Sequence, residues 1–383
     1  MVKLSLHQSA LFLLNLLIPI AGFSNPITPG TPEMIPPGAS PVVSATAVAG
    51  SSDGFIAVWR DSMNNILWNS STDGITWNAA DIIEMPMGGG TPGENPSVCK
   101  GSLGYVAAWY VQKALNNAVH VSLFNGSSWS TPQTLDFSGP VLIGNTVSVA
   151  ANAQGFMVVS SWHAGLSEHV YSNFSSDGTT WGTKVNISTM PGGYAPSVAG
   201  YGNTFIATWE ESNNPQASIS TDMGTTWNSY SIASDGSAYS QVTVSATSLG
   251  YLAAWVDMSG VAHSSFSSDG MVWSAPVQIA SGVDTADAVG IGLSGTSHGF
   301  IAAWEDSSNN ANASFSADGA SWSSPVQIGT GLDAITGSLV GVSFFGARSL
   351  FTWTGSSDPY SNLSQVQISL FSPHSYQRPS NRR

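Results

Sequence analysis

The sequence predicts an all-β fold, a seven-bladed β-propeller whose blades are four-stranded antiparallel sheets. The prediction depends on two short motifs that recur along the chain. The first motif is Gly-aromatic-apolar-Ala-x-Trp, clearest at Gly54–Trp59, Gly104–Trp109, Gly250–Trp255 and Gly299–Trp304. Its last position, the Trp slot, recurs seven times at steps of 46 to 51 residues, with Ser160 in place of the third Trp. A period of this length is typical of propellers and other repeat proteins.

The second motif is a Ser-x-Asp turn followed by Gly and Trp, which predicts a hairpin. Asp and Ser side chains hydrogen-bond to the turn backbone, Gly supplies a positive φ, and the Trp ring is buried in the next strand. Copies that keep the aspartate lie at Asp73, Asp177, Asp222, Asp269 and Asp318. The copy at Asn125–Trp129 has lost it. A composition of 14 Trp, 40 Gly and 8% charged residues also indicates a β-rich, turn-rich chain.

Four strands are predicted in each repeat. The first is a stretch of small residues, such as Val147–Ala151, which suits the crowded centre of a ring. The second carries the Trp slot, the third runs into the Asp turn as Ala311–Phe315 does, and the fourth ends in an apolar patch such as Pro325–Ile328. Four antiparallel strands repeated seven times favour a propeller over a sandwich.

The seventh repeat is short of one strand. No fourth strand follows Asn362–Phe371, whereas Asn25–Ala39 precedes the first repeat. We therefore expect the N-terminal segment to supply the missing outer strand and close the ring, since prolines are tolerated at such an edge. The predicted organisation is one propeller domain over residues 25–372 and a disordered tail over residues 373–383.

The first 24 residues have the pattern of a secretory signal peptide. Lys3 is followed by an apolar run over Ala10–Ile20 and by small residues at Gly22 and Ser24. This run is about half the roughly 20 residues that a membrane span needs. The sequence predicts a secreted protein, extracellular or periplasmic, without a transmembrane segment in the mature chain.

Charge excludes one class of partner. Lys3 lies in the signal and three arginines lie in the tail, so residues 25–372 keep five cations against 23 acids, a net charge of −18. Such a body repels phosphate backbones, and nucleic-acid binding is not expected. The single cysteine, Cys99, excludes an intrachain disulfide, and zinc-site spacing is absent. No cofactor is predicted; the acids are compatible with a Ca²⁺ site, but no EF-hand spacing occurs.

The stretch Ser220–Trp227 resembles the Asp-box (BNR) repeat, S-x-D-x-G-x-T-W, of sialidases and other secreted propeller proteins. This resemblance implies a propeller in which the five turn aspartates are structural and lie on the face away from any active site. Sialidases also use three arginines, a tyrosine nucleophile paired with a glutamate, and an acidic proton donor. Only Arg60 and Arg348 lie in the body of this chain, so sialidase activity is not expected.

Candidate site residues lie in the loops opposite the Asp turns. Acids follow the Trp slot directly at Asp61, Glu210, Glu211, Asp257, Glu305 and Asp306, and the same face is expected to carry Arg60, His163, Tyr194 and Tyr239. The tryptophans themselves are interpreted as packing between blades. An acidic, aromatic-edged face is typical either of a solvated rim or of a ligand site.

Three functions remain open on this evidence. The favoured one is non-catalytic binding of a carbohydrate or glycoprotein, with Arg60, Asp61, His163, Tyr194 and Tyr239 as candidate ligand-binding residues. The second is a glycoside hydrolase that uses two carboxylates from Glu210, Glu211, Asp257, Glu305 and Asp306. The third is a scaffold for a protein partner. The sequence names neither the ligand nor the oligomeric state.

Overall fold

Seven antiparallel sheets form a ring, and each sheet is one blade. The computed structural model of the chain describes residues 26–86, 91–92, 96–112, 118–135, 146–164, 167–234, 236–238, 241–285, 290–330, 332, 340–345, 348–355 and 358–366. These residues contain thirty strands, β1 to β30, and no helix that could span a membrane. The predicted signal peptide and tail lie outside them and stay predictions.

Blades 1 to 6 follow the chain in order, and strands pair mostly with their sequence neighbours. Blade 1 contains β3 (Ala47–Ser51), β4 (Gly54–Arg60), β5 (Ile66–Ser71) and β6 (Asp81–Glu84). Blade 2 contains β7 (Thr91–Pro92), β8 (Ser97–Gly101), β9 (Gly104–Gln112), β10 (Ala118–Phe124) and β11 (Gln133–Leu135). Blade 3 contains β12 (Val147–Asn152), β13 (Gly155–Ala164), β14 (Ser167–Ser175) and β15 (Val185–Asn186).

The second half of the ring repeats this plan. Blade 4 contains β16 (Gly193–Tyr201), β17 (Thr204–Glu211), β18 (Asn214–Ser220) and β19 (Asn228–Ser231). Blade 5 contains β20 (Thr243–Thr247), β21 (Gly250–Val256), β22 (Val261–Ser267) and β23 (Val277–Ser281). Blade 6 contains β24 (Gly292–Thr296), β25 (Gly299–Glu305), β26 (Asn310–Ser316) and β27 (Val326–Thr330).

Blade 7 joins the two ends of the chain. Its strands β28 (Gly341–Phe345), β29 (Arg348–Gly355) and β30 (Asp358–Val366) are completed by β1 (Ile27–Thr28) and β2 (Pro32–Met34), which both pair with β30. The innermost strands contact each other in turn around the ring, and β28 contacts β3. The predicted seven blades and the predicted closure by the N-terminal segment are therefore confirmed.

Tryptophan packing joins neighbouring blades. The slot tryptophans are at most 2% exposed: Trp59, Trp109, Trp209, Trp255, Trp304 and Trp353. Each lies in an apolar cluster shared with the preceding blade, as Trp255 does with Ile206 and Ala217. In blade 3 the slot holds Ser160, and Trp162 packs against blade 2 from two residues further along the same strand. Together with buried phenylalanines such as Phe156, Phe205, Phe300 and Phe351, these rings are the largest side chains that hold the blades together.

Four of the five Asp turns share one geometry, and the turn at Asp222 differs by one additional residue, Met223. At Asp73, Oδ1 accepts hydrogen bonds from the N–H groups of Thr76 at 2.7 Å and Ile75 at 2.9 Å, and Ser71 Oγ accepts from the N–H of Gly74 at 2.8 Å. The two bonds to the carboxylate lower the pKa of Asp73 to about 2. These turns define one end of the ring, which we call the turn face. The opposite end, the loop face, carries the connections between second and third strands and between blades.

Replacing Ile27 by Ala tests the closure of the ring. Ile27 is 3% exposed and packs with Phe315 and Trp353, so its truncation should lower the free energy of unfolding by about 2–4 kcal/mol. Urea unfolding followed by tryptophan fluorescence measures the change. Thr28→Ala, at the exposed neighbouring position, is the control and should change stability little. Equal effects of the two substitutions would show that β1 does not hold blade 7.

Candidate functional site

Three aspartates on the loop face stabilise their own turns. Asp61 Oδ1 accepts from the N–H groups of Met63 and Asn65 at 3.0 and 2.8 Å, and its Oδ2 accepts from the Asn65 side chain. Asp306 does the same, with Oδ1 bound to the N–H groups of Ser308 and Asn310. Both carboxylates therefore accept hydrogen bonds within their own loops, as aspartates in turns commonly do.

Asp257 makes a third such turn and also holds a histidine. Its Oδ1 accepts from the N–H groups of Ser259 and Val261, and its Oδ2 lies 2.9 Å from Nε2 of His263. Burial raises the pKa of Asp257, but the hydrogen bonds from His263 and the backbone outweigh it and the net pKa is lowered. The His263 ring stacks on Trp255 at 5.9 Å, so the pair covers the outer end of a slot tryptophan.

A similar set joins blades 1 and 2. Glu84, at the end of β6, accepts from Trp109 Nε1 at 2.5 Å and lies 2.8 Å from His120 Nδ1. The second ring nitrogen of His120 lies 3.1 Å from Thr134 Oγ1. All polar atoms of this histidine therefore have partners within the protein. The set holds the two blades together at the loop face, and it leaves no ring nitrogen of His120 available to a ligand.

A group of three glutamates lies between blades 3 and 4, and one of them, Glu210, accepts a hydrogen bond from the N–H of Asn213 in its own turn. Tyr194 on β16 is the strand partner of Glu210 on β17, and the next pair is Gly193 with Glu211. A bulge follows at Ala195, whose φ of 46° is unusual for a residue other than glycine. Glu168, at the start of β14 in blade 3, lies close to Tyr194, and the two side chains shift each other's pKa. We call Glu168, Tyr194, Glu210 and Glu211 the acidic cluster.

Burial controls the protonation of the acidic cluster. Glu168 is 3% exposed, and burial raises its pKa to about 7 although the nearby hydroxyl groups of Tyr194 and Ser161 oppose the shift. Burial also raises the pKa of Glu210 and of Glu211, and Glu211 accepts from Trp209 Nε1 at 3.2 Å. The charge of Glu168, followed by burial, raises the pKa of Tyr194. Near neutral pH, Glu168 is therefore present in both its protonated and its ionised form.

The structure places two other candidate residues, Arg60 and Glu305, apart from this cluster. Arg60 donates from Nη1 to Asn64 Oδ1 at 2.6 Å within its own loop, and Glu305 is 8% exposed on β25. His163 lies on β13, where its backbone pairs with Glu168. Tyr239 lies outside the described residues. Within the described ranges no three His, Cys, Asp or Glu side chains form a metal-binding group.

Glu168 was not among the residues selected from the sequence. It does not follow the Trp slot of the second strand but begins the third strand, and it reaches the cluster because β14 pairs with β13 up to His163. One feature of the sequence distinguishes Glu168: it is the only acid on the third strand of blade 3 ahead of the Asp turn. The cluster offers hydrogen-bond acceptors from two carboxylates beside the Tyr194 ring, which is 44% exposed.

Replacing Glu168 by Gln tests its protonation. The folded pKa of about 7 lies above the ordinary 4.5, so the wild-type protein loses stability as the pH rises through this interval. At pH 8 the variant should be more stable by on the order of 1–3 kcal/mol, and the gain should vanish near pH 4.5. Urea unfolding at several pH values measures it, with Glu33→Gln on exposed β2 as control. A gain that does not depend on pH would contradict the assignment.

Comparison with solved structures finds other propellers. The chain is similar to the BP39L lectin from Burkholderia pseudomallei, with 12% identity, a TM-score of 0.63, and coverage of 85% of this chain and 99% of the lectin. It is also similar to the six-bladed fucose-recognising lectin of Aleuria aurantia, with 14% identity, a TM-score of 0.51, and coverage of 77% of this chain and 99% of the lectin.

A sialidase from Trypanosoma rangeli shares the fold as well, with 13% identity and a TM-score of 0.50 over 86% of this chain and 55% of the sialidase. No protein-family model matches the sequence, and no curated protein matches it. At these identities the likenesses show the fold alone. The chain is a seven-bladed propeller whose fold is shared by lectins and by a sialidase.

Proposed function

We propose that this chain is a non-catalytic carbohydrate-binding propeller that binds its ligand at the acidic cluster on the loop face. The observation that carries the proposal is the exposed ring of Tyr194 beside the carboxylates of Glu168 and Glu210. A sugar has apolar C–H faces and polar hydroxyl edges. An exposed tyrosine ring accommodates the first, and carboxylate oxygens accept hydrogen bonds from the second.

The roles of the cluster residues differ with their burial. Tyr194 and half-buried Glu210 contact the ligand. Glu168 and Glu211 are buried and support these two residues without touching the ligand. Glu168 acts on the Tyr194 hydroxyl through its charge, and Glu211 accepts a hydrogen bond from Trp209. The cluster has three acids, and their negative charge favours neutral sugars over sialylated or sulfated ones.

The similar folds support this proposal without proving it. The lectin of Aleuria aurantia was solved with α-methyl-L-fucoside, so a ring of comparable blades serves sugar binding in that protein. We also propose that the S-x-D turns belong to the Asp-box type and that residues 1–24 direct export. Both proposals agree with a binding protein that meets glycans outside the cell.

A second candidate, a glycoside hydrolase, is favoured by one observation. Glu168 has a pKa of about 7 and lies near Glu210, so one carboxyl group is available as a proton donor and the other as a base. Burial of Glu168 beneath Tyr194 argues against this role, because the donor must reach the glycosidic oxygen. A scaffold without a small ligand is the third candidate.

A glycan array with residues 25–383 tests the binding proposal. One class of neutral glycans should bind, and Tyr194→Ala should weaken its binding by about tenfold or more, since an aromatic contact and a hydrogen bond are lost. The matched control is Tyr201→Ala, because Tyr201 is 47% exposed at the opposite end of the same strand, β16. Loss of binding in the control but not in Tyr194→Ala would move the site to the turn face.

A panel of aryl glycosides tests the hydrolase candidate. The non-catalytic proposal predicts no release of the aryl group above the uncatalysed rate. Release that Glu210→Gln abolishes, while Asp257→Asn preserves it, would replace the binding proposal by the hydrolase. If no aryl glycoside is hydrolysed and no glycan binds on the array, the results favour the third candidate, a scaffold for a protein partner.

A further inference from the structure

The turn face has a cleft between blades 1 and 2 with a volume of about 380 Å³. Its walls come from both blades and include Ile56 and Ser70 of blade 1 and Lys100, Tyr105 and Phe124 of blade 2. The volume lies within the range of roughly 300–1,000 Å³ that small-molecule sites occupy. This cleft is far from the acidic cluster, at the other end of the ring and between different blades.

The cleft exists because the turn of blade 2 differs from the Asp turns. In blade 3 the turn glycine, Gly178, packs against Val106 and Leu123 of blade 2, and against Phe156 of its own blade. Gly270 of blade 5 packs in the same way on the preceding blade. In blade 2 the turn lacks the aspartate and closes early through a bridge between Phe124 and Trp129. Its Gly126 has no atom within 4 Å of a built Cβ.

Strand register identifies what the missing turn leaves uncovered. Val106 and Leu123 are partners in blade 2, and the matching partners in blade 1 are Ile56 and Ser70. Tyr105 of blade 2 corresponds to Phe156 of blade 3. Ile56, Ser70 and Tyr105, which correspond to the three residues that Gly178 contacts, all line the cleft. Blade 1 also has a serine at position 70, where blades 2 to 5 have Leu123, Phe174, Ile219 and Phe266. A smaller side chain and an absent turn together open the cleft.

Lys100 gives the cleft a positive charge. The matching positions, partners of the first aromatic residue in the second strand, are Gly or Ala in five other blades: Gly50, Ala151, Gly200, Ala246 and Gly295. The Lys100 ammonium group lies 5.3 Å from the Tyr105 ring centre and donates to Gly101 O at 2.8 Å. Two of its three N–H donors remain, and it forms no ion pair with a carboxylate of the described residues.

We propose that this cleft is a second ligand site and that it binds a sugar acid of the hexuronic type. The Lys100 ammonium group binds the carboxylate, and the partly exposed ring of Phe124 contacts the apolar face of the sugar. Polar groups of Thr72 and Asn125 at the same cleft bond to hydroxyls. Asp53 also lines the cleft, which disfavours ligands with two or more negative charges.

Ligand-observed NMR titration of residues 25–383 with D-glucuronate tests the proposal, with D-glucose as the neutral probe of the same ring. Glucuronate should bind more tightly than glucose, and added salt should weaken its binding. Lys100→Gln should lower the affinity for glucuronate by about tenfold or more. Ser70→Leu, which restores the side chain type of the other blades, should fill the cleft and abolish binding.

Two variants serve as matched controls. Lys184→Gln removes a lysine that also lies over aromatic rings, 5.4 Å from Tyr171 in blade 3, and should leave glucuronate binding unchanged. Tyr194→Ala should do the same, which separates this site from the acidic cluster. The proposal is wrong if, in the Tyr194→Ala variant that removes sugar binding at the acidic cluster, glucose binds as tightly as glucuronate, or if Lys100→Gln, with an unchanged circular dichroism spectrum, binds glucuronate as the wild type does.

Discussion

The structure depends on the burial of one tryptophan ring at most of the contacts between neighbouring blades. A four-stranded sheet cannot bury both of its faces alone, so each blade is stable only when a neighbour covers it. The slot tryptophans fill this contact at the second strand, where Trp109 and Trp255 have no exposed surface. Because these rings are enclosed, they are unavailable to stack on a ligand. Stacking on a ligand must therefore use other aromatic rings than these.

The two ends differ in their electrostatics. On the loop face, Asp61, Asp257 and Asp306 are occupied by their own turns, so the acidic composition of the chain translates into few free carboxylates. The three glutamates of the acidic cluster lie where blades 3 and 4 meet. On the turn face, hydrogen bonds from backbone N–H groups keep the turn aspartates ionised, as at Asp73. Where one Asp turn is missing, Lys100 and Asp53 together determine the local charge.

The sequence predicts the fold well because its motifs report burial and turn formation directly. The spacing of Trp and Gly revealed the seven blades, and the short seventh repeat revealed the closing strand. The site was predicted in part: strand alternation placed Tyr194 and Glu210 on one face, and they are strand partners. The position of Glu168 could not be predicted from the sequence, because it depends on how far the pairing of β14 with β13 extends. The turn contacts of Asp61 and Asp306 likewise depend on local loop geometry that spacing alone does not reveal.

Closure by the N-terminal strand also constrains biosynthesis. Ile27 leaves the ribosome among the first residues of the propeller, yet its partner Val366 is made after every other blade. Until then the nascent chain is an arc whose first and last blades each expose an apolar face that blade 7 covers in the closed ring. Six blades assembled without the seventh would present these faces to solvent, so synthesis and assembly must both be complete before the molecule is protected from aggregation.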